Sequence, residues 1–238
     1  MRDAIAALEN FDLARFRVTI VDDGSDDDTG AIAERMAAAD PRITVVHHAR
    51  NGGYGAAIKS GLAAADLDWV FYTDGDGQFD VAELASLLPW SADHDAVIGY
   101  RVRRSDHALR KVNQMLWSRL VRWTLRIDVR DVDCAFKLLR RSLVEAAGPY
   151  VSDGAVISAE LLVKLDRAGA RIKQVPVGHR PRLAGEPSGG SPRVIARAFR
   201  ELFRLRRALR RPPVQPSVAP DAPTGPTNSA TVSRSHRR

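Results

Sequence analysis

The sequence contains one cysteine and no long uninterrupted hydrophobic run. Cys134 has no cysteine to pair with, so an internal disulfide framework is excluded and a reducing compartment is expected. No stretch approaches the roughly 18 apolar residues that indicate a membrane span. The N-terminus reads as an amphipathic helix rather than a signal peptide. These absences predict a cytoplasmic location.

Several ligand-binding signatures are also incomplete. The glycine loop Asn51-Gly52-Gly53-Tyr54-Gly55 lacks the third glycine of a dinucleotide fingerprint and the Gly-Lys-Ser/Thr ending of a P-loop. A calcium loop beginning at Asp74 fails as well, because it would have Phe79 in place of glycine and Ala85 in place of glutamate. A Rossmann dehydrogenase, a P-loop enzyme and an EF-hand are therefore disfavoured.

Composition and charge narrow the class further. The 238 residues, of which 45% are hydrophobic, suffice for one sizeable core with appendages. The net charge of +7 suits nucleic acid, an anionic membrane or a phosphorylated substrate. Much of the positive charge is near the C-terminus and no nucleic-acid-binding motif accompanies it, so we predict no nucleic-acid partner.

The most informative stretch runs from Trp69 to Phe79. It begins as an apolar β-strand pattern and ends in Asp74-Gly75-Asp76. Such a strand delivers two carboxylates to the carboxyl edge of a sheet, where ligands bind in open α/β folds. Paired hard oxygen ligands suit Mg²⁺ or Mn²⁺ together with substrate phosphates. A plain turn is the alternative interpretation of this motif taken alone, because aspartate and glycine dominate turns.

Strand and helix patterns alternate along the first hundred residues. The predicted strands are 17–21, 43–47, 69–73 and 96–99, and the predicted helices are 1–10, 32–39, 56–65 and 81–88. This alternation predicts an α/β fold with a mostly parallel sheet flanked by helices. The first strand also ends in acids, Asp22 and Asp23, so two strands are expected to deliver carboxylates to one shared edge.

The ordered set of motifs resembles the family 2 glycosyltransferases of GT-A fold, especially the dolichyl-phosphate mannose synthase and polyprenyl-phosphate glycosyltransferase branch. The resemblance covers about residues 1–190. The residues that carry it are Ile20-Val21-Asp22-Asp23-Gly24-Ser25, the glycine loop 51–57, Asp74-Gly75-Asp76-Gly77-Gln78, Gly99-Tyr100-Arg101, Asp131-Val132-Asp133-Cys134-Ala135-Phe136-Lys137 and Arg182-Leu183-Ala184-Gly185-Glu186.

The resemblance implies a role for each matching position. Asp74 and Asp76 would hold the metal, Mg²⁺ or Mn²⁺, against the donor diphosphate. Donor contacts would come from Val21, Asp23, Asp74, Gly75 and Asp76, and acceptor or phosphate contacts from Gln78, Arg101, Lys137 and Arg182. Catalysis would rest on Asp76, Gln78 and Arg101.

The chain also departs from the family pattern. The family opens with an apolar strand ending in Pro-x-Tyr-Asn-Glu, and this sequence begins at the helix that follows it, so the first strand is expected to be missing. The predicted organisation is an N-terminally truncated GT-A domain over 1–190, a basic amphipathic helix over 191–211 and a disordered tail over 212–238.

Two helical segments suit a membrane surface. The pattern over 109–127 predicts a long helix carrying arginines and two tryptophans, which is typical of either a core helix or a membrane-facing one. The basic helix near the C-terminus can lie in lipid headgroups or pack on the domain. We expect peripheral attachment to the inner face of the cell membrane.

The sequence thus predicts a metal-dependent, inverting hexosyltransferase that transfers a sugar from a nucleotide-sugar, GDP-mannose or UDP-glucose, to polyprenyl or dolichyl phosphate. A first alternative acceptor is a saccharide hydroxyl, which needs a carboxylate base such as Asp131 or Asp133. A second alternative is a degenerate, non-catalytic relative that acts as a binding protein.

Overall fold

The fold comes from a computed structural model that describes residues 2–102, 108–181 and 192–210. The elements are α1 (Arg2–Glu9), β1 (Val18–Asp22), α2 (Thr29–Ala39), β2 (Ile43–His47), α3 (Tyr54–Ala63), β3 (Trp69–Thr73), 3₁₀ helices at Val81–Ser86 and Leu88–Ala92, β4 (Ala96–Arg101), α4 (Ala108–Leu125), β5 (Phe136–Arg140), α5 (Arg141–Ala147), α6 (Ile157–Arg167), β6 (Ile172–Val177) and α7 (Pro192–Leu209).

The first strands follow from their side chains. Strands β1, β2 and β3 read VTIVD, ITVVH and WVFYT, in which β-branched and aromatic residues favour a pleated, half-buried surface. Helix α3 begins directly after Gly53, whose φ of 98° is in the left-handed region that glycine tolerates. The glycine loop therefore turns sharply from β2 into α3.

The described strands form two sheets. Strand β1 pairs with β2 in parallel, and the larger sheet has the order β3-β5-β4-β6. Strand β5 is antiparallel to both β3 and β4, whereas β4 and β6 are parallel. The predicted common strand direction therefore holds in the larger sheet except for β5. Because β3 and β4 run the same way, their last residues lie at the same edge.

Strands β1 and β3 each have one paired edge within the described residues. Their side chains Ile20, Val21, Phe71 and Tyr72 are only half-buried, although both sequences are typical of interior strands. An ion pair of 3.3 Å joins Arg17, before β1, to Asp66, before β3, so the two strands start close to each other. The two open edges belong to strands that lie near each other at this end.

The core has two parts that use opposite faces of the larger sheet. Ile98 and Leu139 face one part, built with helices α4 to α7, and Val97 and Leu138 face the other. This alternation is the period of two expected of strands buried on both faces. The sheet is thus fixed on both sides, which holds its carboxyl edge in place.

The structure corrects several sequence-based boundaries. The predicted helix over 81–88 is a 3₁₀ helix, followed by another that has Pro89 in its first turn. Strand β5 and helices α5 and α6 were not predicted, because the short buried run FKLLR gives no periodic signal by itself. The predicted long helix over 109–127 spans Ala108–Leu125 in the structure.

Helix α7 packs on the domain. Leu202 and Leu205 are fully buried in the core, and the Phe199 ring meets Trp117 edge-on at 5.5 Å, whereas Ile195 and Phe203 are exposed. The domain core therefore extends beyond residue 190 into this helix. The predicted disordered tail at 212–238 lies outside the described residues. Among the helices in the described ranges, none combines the length and apolarity needed to cross a bilayer.

Candidate active site

Strand β3 ends in the acidic pair Asp74 and Asp76. The Asp76 carboxylate accepts a hydrogen bond of 3.0 Å from the backbone amide of Gln78, which closes a tight turn. Gly77 has a φ of 74°, a conformation that favours glycine. Among the described residues, no atom lies within 4 Å of a Cβ added at Gly75, so a ligand can approach the backbone between the two acids from that side. The pair is presented at the edge by a rigid strand and a fixed turn.

Asp74 is the unusual member of the pair. Burial raises the pKa of its carboxyl, and the nearby charge of Asp76 raises it further. The Tyr54 hydroxyl lies within hydrogen-bonding reach of Asp74 and opposes this rise in pKa. Two carboxylates arranged in this way repel each other until a cation or a proton compensates their charge.

The pair fits a divalent cation shared with a substrate. Carboxylate oxygens are the ligands that Mg²⁺ and Mn²⁺ prefer, and such ions take their remaining ligands from phosphates and water. Across the described ranges, no group of three or more histidine, cysteine, aspartate or glutamate side chains has metal-binding geometry. Asp74 and Asp76 would be the protein ligands of such an ion.

The second acidic pair, at the end of β1, shapes the glycine loop. The Asp23 carboxylate accepts hydrogen bonds from the amides of Gly52, at 2.9 Å, and Gly53, at 2.8 Å. His48 Nδ1 lies 2.5 Å from the same carboxylate. Burial alone would raise the pKa of Asp23, but the hydrogen bonds from the two amides and from His48 outweigh it and lower this pKa. Asp23 is therefore ionised and fixes the loop that precedes Tyr54.

Asp22 points to a different neighbour. Its carboxylate accepts from the Ser25 amide at 3.1 Å and lies 3.0 Å from His47 Nδ1. His47 Nε2 in turn lies 2.8 Å from Glu34 on α2. Asp22 thus joins β1 to β2 and α2, whereas Asp23 reaches toward the loop beside β3.

The glycine loop connects the two acidic pairs. Asp23 fixes Gly52 and Gly53, the next residue is Tyr54, and its hydroxyl reaches Asp74. Among the described strands β1 and β3 belong to different sheets, so the two acidic pairs do not share one sheet edge as the sequence predicted, and this loop is what links them. Val21 is half-buried one residue before the acids of β1, beside helix α3.

Gln78 is tied to the segment that follows β6. The side-chain amide of Gln78 donates to the backbone carbonyl of Arg180 at 3.1 Å. The backbone carbonyl of Gln78 accepts from the backbone amide of Arg180 at 2.8 Å. These bonds bring the chain after β6 next to the acidic turn. Arg182, predicted to bind phosphate, lies two residues further on and outside the described residues.

Arg101 ends β4 at the same edge as the acidic pair. Its guanidinium forms two hydrogen bonds to Asp131, of 2.7 and 2.8 Å, and both side chains are almost completely buried. Such a bidentate pair fixes the guanidinium plane. Arg101 is therefore a positioned cation whose charge is already compensated by Asp131.

Lys137, for which a phosphate contact is predicted, is a buried side chain in this structure. This side chain has no exposed surface, and its ammonium donates to the carbonyl oxygens of Val132, at 3.2 Å, and of Cys134. It also lies over the Tyr72 ring. Lys137 thus fixes the loop before β5 from inside. Sequence patterns do not distinguish a buried lysine from a surface one when both follow an aromatic residue.

Sequence analysis also missed some residues near the site. Tyr54 was part of a recognised loop, but nothing in the pattern assigned a role to its hydroxyl. Arg130 lies between the predicted elements, and its guanidinium stacks over the Tyr100 ring at 4.8 Å. Only the fold brings these side chains to the edge that carries Asp74 and Arg101.

Comparison with known proteins gives a family match and named relatives. The family described as Glycosyl transferase family 2 matches residues 1–148. Glycosyltransferase AglD of Haloferax volcanii is 35% identical over 190 residues, which are 76% of this chain and 30% of that protein. A dolichyl-phosphate hexose transferase of the same organism is 30% identical, over 76% of this chain and 77% of that protein. The chain thus spans less than a third of the first relative and about three quarters of the second.

Solved structures with the same fold include two glycosyltransferases. Mannosyltransferase PcManGT of Pyrobaculum calidifontis, in complex with GDP-Man and Mn²⁺, has a TM-score of 0.59 at 21% identity, covering 89% of this chain and 60% of that one. Glucosyl-3-phosphoglycerate synthase of Mycobacterium tuberculosis, with Mn²⁺, UDP-glucose and phosphoglyceric acid, also has a TM-score of 0.59 at 21% identity, covering 84% and 74%. This similarity confirms the predicted GT-A fold class.

Proposed function

The chain belongs to glycosyl transferase family 2, and on that premise we propose that it transfers a hexose from a nucleotide-sugar to a polyprenyl phosphate. The donor is GDP-mannose or UDP-glucose. In the reaction, the bond between sugar C1 and the nucleoside diphosphate breaks, and a bond from C1 to an acceptor phosphate oxygen forms on the opposite face. The transfer therefore inverts the anomeric configuration.

The observation that carries the proposal is the acidic pair that ends β3. Asp74 is half-buried beside Asp76, and desolvation raises its pKa, at the edge of a sheet where substrates bind in this type of fold. A divalent ion bound there with the donor diphosphate would neutralise the charge that develops on the leaving group. Both solved structures compared above hold Mn²⁺ according to their descriptions, which supports Mn²⁺ or Mg²⁺ as the cofactor.

The donor is proposed to lie along the glycine loop. Asp23 accepts hydrogen bonds from the amides of Gly52 and Gly53, which orders the loop before Tyr54, whose hydroxyl reaches Asp74. Val21 is proposed as a further donor contact. In the described part of the chain, no neighbour of Gly75 blocks a close approach. A nucleotide bound there would therefore contact a surface that is already organised, which reduces the entropy cost of binding.

The acceptor is proposed to be a lipid phosphate. A phosphate monoester is an anionic nucleophile, so its attack needs positive electrostatics more than a general base. The names of the relatives include a dolichyl-phosphate hexose transferase and a polyprenol monophosphomannose synthase. For a saccharide hydroxyl as acceptor, Asp131 or Asp133 would have to act as a base, and of these Asp131 is buried and paired with Arg101. Gln78 and Arg101 are proposed to position the acceptor, with Arg182 as a third contact.

The location of the enzyme is proposed to be the inner face of the cell membrane. Helix α7 combines the exposed side chains Ile195 and Phe203 with many arginines, which suits the headgroup region of an anionic bilayer. The acceptor is embedded in that bilayer, so peripheral attachment brings the two together.

The test is the fate of a labelled sugar. The protein is incubated with Mn²⁺, radiolabelled GDP-mannose or UDP-glucose, and either polyprenyl phosphate or a soluble oligosaccharide. We expect label in an organic-extractable product that mild acid releases, with one of the two donors. Label that enters only soluble saccharides would contradict the lipid acceptor and support a saccharide hydroxyl as the acceptor. Donor binding without transfer to either acceptor would favour the non-catalytic alternative.

A further inference from the structure

Two histidine–aspartate pairs lie side by side where β1 and β2 end. Asp22 and His47 are register partners in the parallel ladder, and the His48 amide donates to the Asp22 carbonyl at 2.9 Å, which continues the ladder by one residue. Side chains alternate across a strand, so consecutive residues point to opposite faces. His47 accordingly meets Asp22 and Glu34 on one face. His48 meets Asp23 on the other face.

The imidazole of His48 is held at both ring nitrogens. Its Nδ1 lies 2.5 Å from Asp23 Oδ1, and its Nε2 lies 2.7 Å from the Ser60 hydroxyl on α3. Asp23 is ionised and can only accept, so Nδ1 carries the proton of that hydrogen bond. A hydroxyl can donate or accept, so Ser60 suits the ring whether Nε2 is protonated or not. The ring is therefore fixed from α3 on one side and from the end of β1 on the other.

Asp23 connects this ring to the glycine loop. Its Oδ1, which meets His48, also accepts from the Gly52 amide at 2.9 Å, and its Oδ2 accepts from the Gly53 amide at 2.8 Å. A Cβ added at Gly52 would lie 2.9 Å from the Ala56 Cβ and 3.4 Å from Asp23 Oδ1, so the loop packs directly on the carboxylate. Rotation of this carboxylate would break both amide bonds. The contact from His48 therefore fixes the loop as well.

The Asp23 carboxylate keeps room for a ligand. Its side chain is 18% exposed, and among the described residues Oδ2 accepts only the hydrogen bond from Gly53. A carboxylate oxygen has two lone pairs, so Oδ2 can accept a further hydrogen bond from an N–H or O–H group of a nucleoside. Oδ1 already has His48 and Gly52 as partners. The histidine thus determines which carboxylate oxygen faces a ligand.

The two histidines differ in their surroundings. The His48 side chain is exposed at 19%, whereas His47 is exposed at 41% and its partner Glu34 at 60%. Hydrogen bonds are stronger where water is largely excluded. The contacts of His47 also lead to α2 and not to the glycine loop. His47 is therefore a matched control for His48, one residue away in the chain.

We propose that His48 is a positioning residue for the nucleotide-sugar: held by Ser60, it fixes the Asp23 carboxylate so that Oδ2 and the glycine loop meet the nucleoside of the donor. This role rests on the proposed function and adds to it a residue that acts through Asp23. A carboxylate and a loop that are already ordered lower the entropy cost of donor binding. Loss of His48 should therefore weaken donor binding and leave the transfer step unchanged.

The test compares leucine at the two neighbouring histidines in the full chain. Leucine and asparagine have similar shapes, but only asparagine can donate to a carboxylate. Isothermal titration calorimetry measures binding of UDP and of GDP with Mn²⁺. We expect His48→Leu to weaken binding of the nucleotide that the wild type binds by about tenfold, because a hydrogen bond to a charged group is lost. His48→Asn should recover most of the affinity, and His47→Leu should stay within about twofold of the wild type.

Steady-state transfer separates donor positioning from a general loss of structure. With saturating polyprenyl phosphate, His48→Leu should raise the KM for the nucleotide-sugar by about tenfold and keep kcat within about twofold. Ser60→Ala, which removes only the hydroxyl, should raise the KM by a smaller factor and provides the same test if His48→Leu does not fold. A fall in kcat at an unchanged KM would overturn the proposal, as would equal effects of His48→Leu and His47→Leu.

The proposed function can fail separately from the role of His48. A wild type that binds neither UDP nor GDP would refute the proposed function, whereas wild-type binding that His48→Leu leaves unchanged would refute only the role of His48. Amide exchange of Gly52 and Gly53, followed by NMR, needs no nucleotide and should become faster in His48→Leu but not in His47→Leu. Equal protection in both variants would show that Asp23 holds the loop without His48, and would also overturn the proposal.

Discussion

Two buried charged side chains organise the loops around the candidate site. Lys137 holds the loop before β5 through backbone carbonyls, and Glu160 on α6 accepts from the amides of Val151, at 2.9 Å, and Ser152, at 2.8 Å. Lys164 lies 2.8 Å from Glu160 and compensates its charge. Because an unpaired buried charge is costly, each of these groups fixes the backbone that satisfies it.

The loop held by Glu160 supports the glycine loop in turn. The Asp153 carbonyl accepts from the Gly55 amide at 2.8 Å, and a Cβ added at Gly55 would lie 2.6 Å from the Asp153 carbonyl carbon. Gly55 is therefore required by close backbone contact. Gly61, on the same helix, has room, since among the described residues its Cβ would meet only Val21, at 3.5 Å.

This difference predicts opposite effects of alanine at two positions of α3. Gly55→Ala should lower the free energy of unfolding by about 1–3 kcal/mol, because the helix must move away from Asp153. Gly61→Ala should raise it by up to about 1 kcal/mol through helix propensity. Urea denaturation of both variants measures this. Equal effects of the two alanines would show that Gly55 is not in tight contact.

Asp95 offers a pH-dependent test of an ion pair between β4 and β6. Hydrogen bonds from Arg171 lower the pKa of its carboxyl to about 2, below the ordinary value of 3.8. Because the pKa is lower in the folded protein, the ionised carboxylate stabilises the fold at pH values above 3.8. This contribution is lost as the pH falls toward 2. Asp95→Asn should therefore cost about 1–2 kcal/mol at neutral pH.

The measurement is the free energy of unfolding of both proteins as a function of pH. The gap between wild type and Asp95→Asn should be constant above about pH 5 and close between pH 4 and 2. A gap that stays constant down to pH 2 would mean that the Asp95 charge does not stabilise the fold.

At the residue scale, the sequence predicted the positions of those site residues that directly follow a recognisable strand. Asp74, Asp76 and Asp23 could be placed because each directly follows a recognisable apolar strand. The pairing of Arg101 with Asp131 could not, since it joins residues 30 positions apart on elements whose neighbourhood depends on the unpredicted β5. The burial of Lys137 was missed for the same reason, because it sits within β5.

At the scale of elements, strands β1 and β3 differ from the fully paired strands of the larger sheet. Each has a second edge without a partner among the described strands, and apart from the buried Val70 their apolar side chains are half-buried. Unpaired backbone amides at such an edge are satisfied by water. The short apolar runs at β1 and β3 predicted both strands correctly. Such a run does not show which edge of a strand is paired.

Hydrogen exchange should distinguish these strands. Alternate amides of β1 and β3 should exchange much faster than those of β4 and β5, because local opening exposes an edge before it exposes the paired centre. Amide exchange followed by NMR resolves the positions. Uniformly slow exchange across β1 and β3 would mean that another segment covers these edges.

Helix α7 has two roles, which point substitutions can separate. Deleting the helix would remove Leu202 and Leu205 from the core, at a cost of about 2–5 kcal/mol for each leucine. Ile195→Ser/Phe203→Ser instead changes exposed side chains. This variant should keep the unfolding free energy within about 0.5 kcal/mol and lose vesicle affinity by about tenfold or more.

Vesicle sedimentation with the wild type and this double variant measures the loss. Binding that is unchanged in the variant would leave α7 with packing as its only role. Binding that falls together with thermal stability would mean that Ile195 and Phe203 support the fold. The sequence predicted the helix and its basic face, but the packing of Leu202 and Leu205 was visible only in the structure.

At the scale of the whole molecule, the positive charge of the helices and the acidic pair at the sheet edge fit an enzyme that works at an anionic membrane surface. The net charge of +7 includes the arginines of α4 and α7, and the paired acids lie at one edge of the sheet. Attraction of exposed arginines to an anionic bilayer weakens as salt screens it. Vesicle binding of the wild type should therefore fall steeply with ionic strength, whereas binding of the nucleotide with Mn²⁺ at the half-buried Asp74 and Asp76 should change less.

The most direct test of the account is sugar transfer by Asp76→Asn, compared with the wild type and with Asp68→Asn. Asp68 is exposed at the opposite end of β3 and serves as the matched control. With Mn²⁺, a labelled nucleotide-sugar and polyprenyl phosphate, wild type and Asp68→Asn should form the lipid-linked product at equal rates. Asp76→Asn should lose on the order of 100-fold or more while keeping the same thermal unfolding midpoint. Wild-type turnover by a folded Asp76→Asn protein would contradict the assignment of this acidic pair as the metal-holding centre.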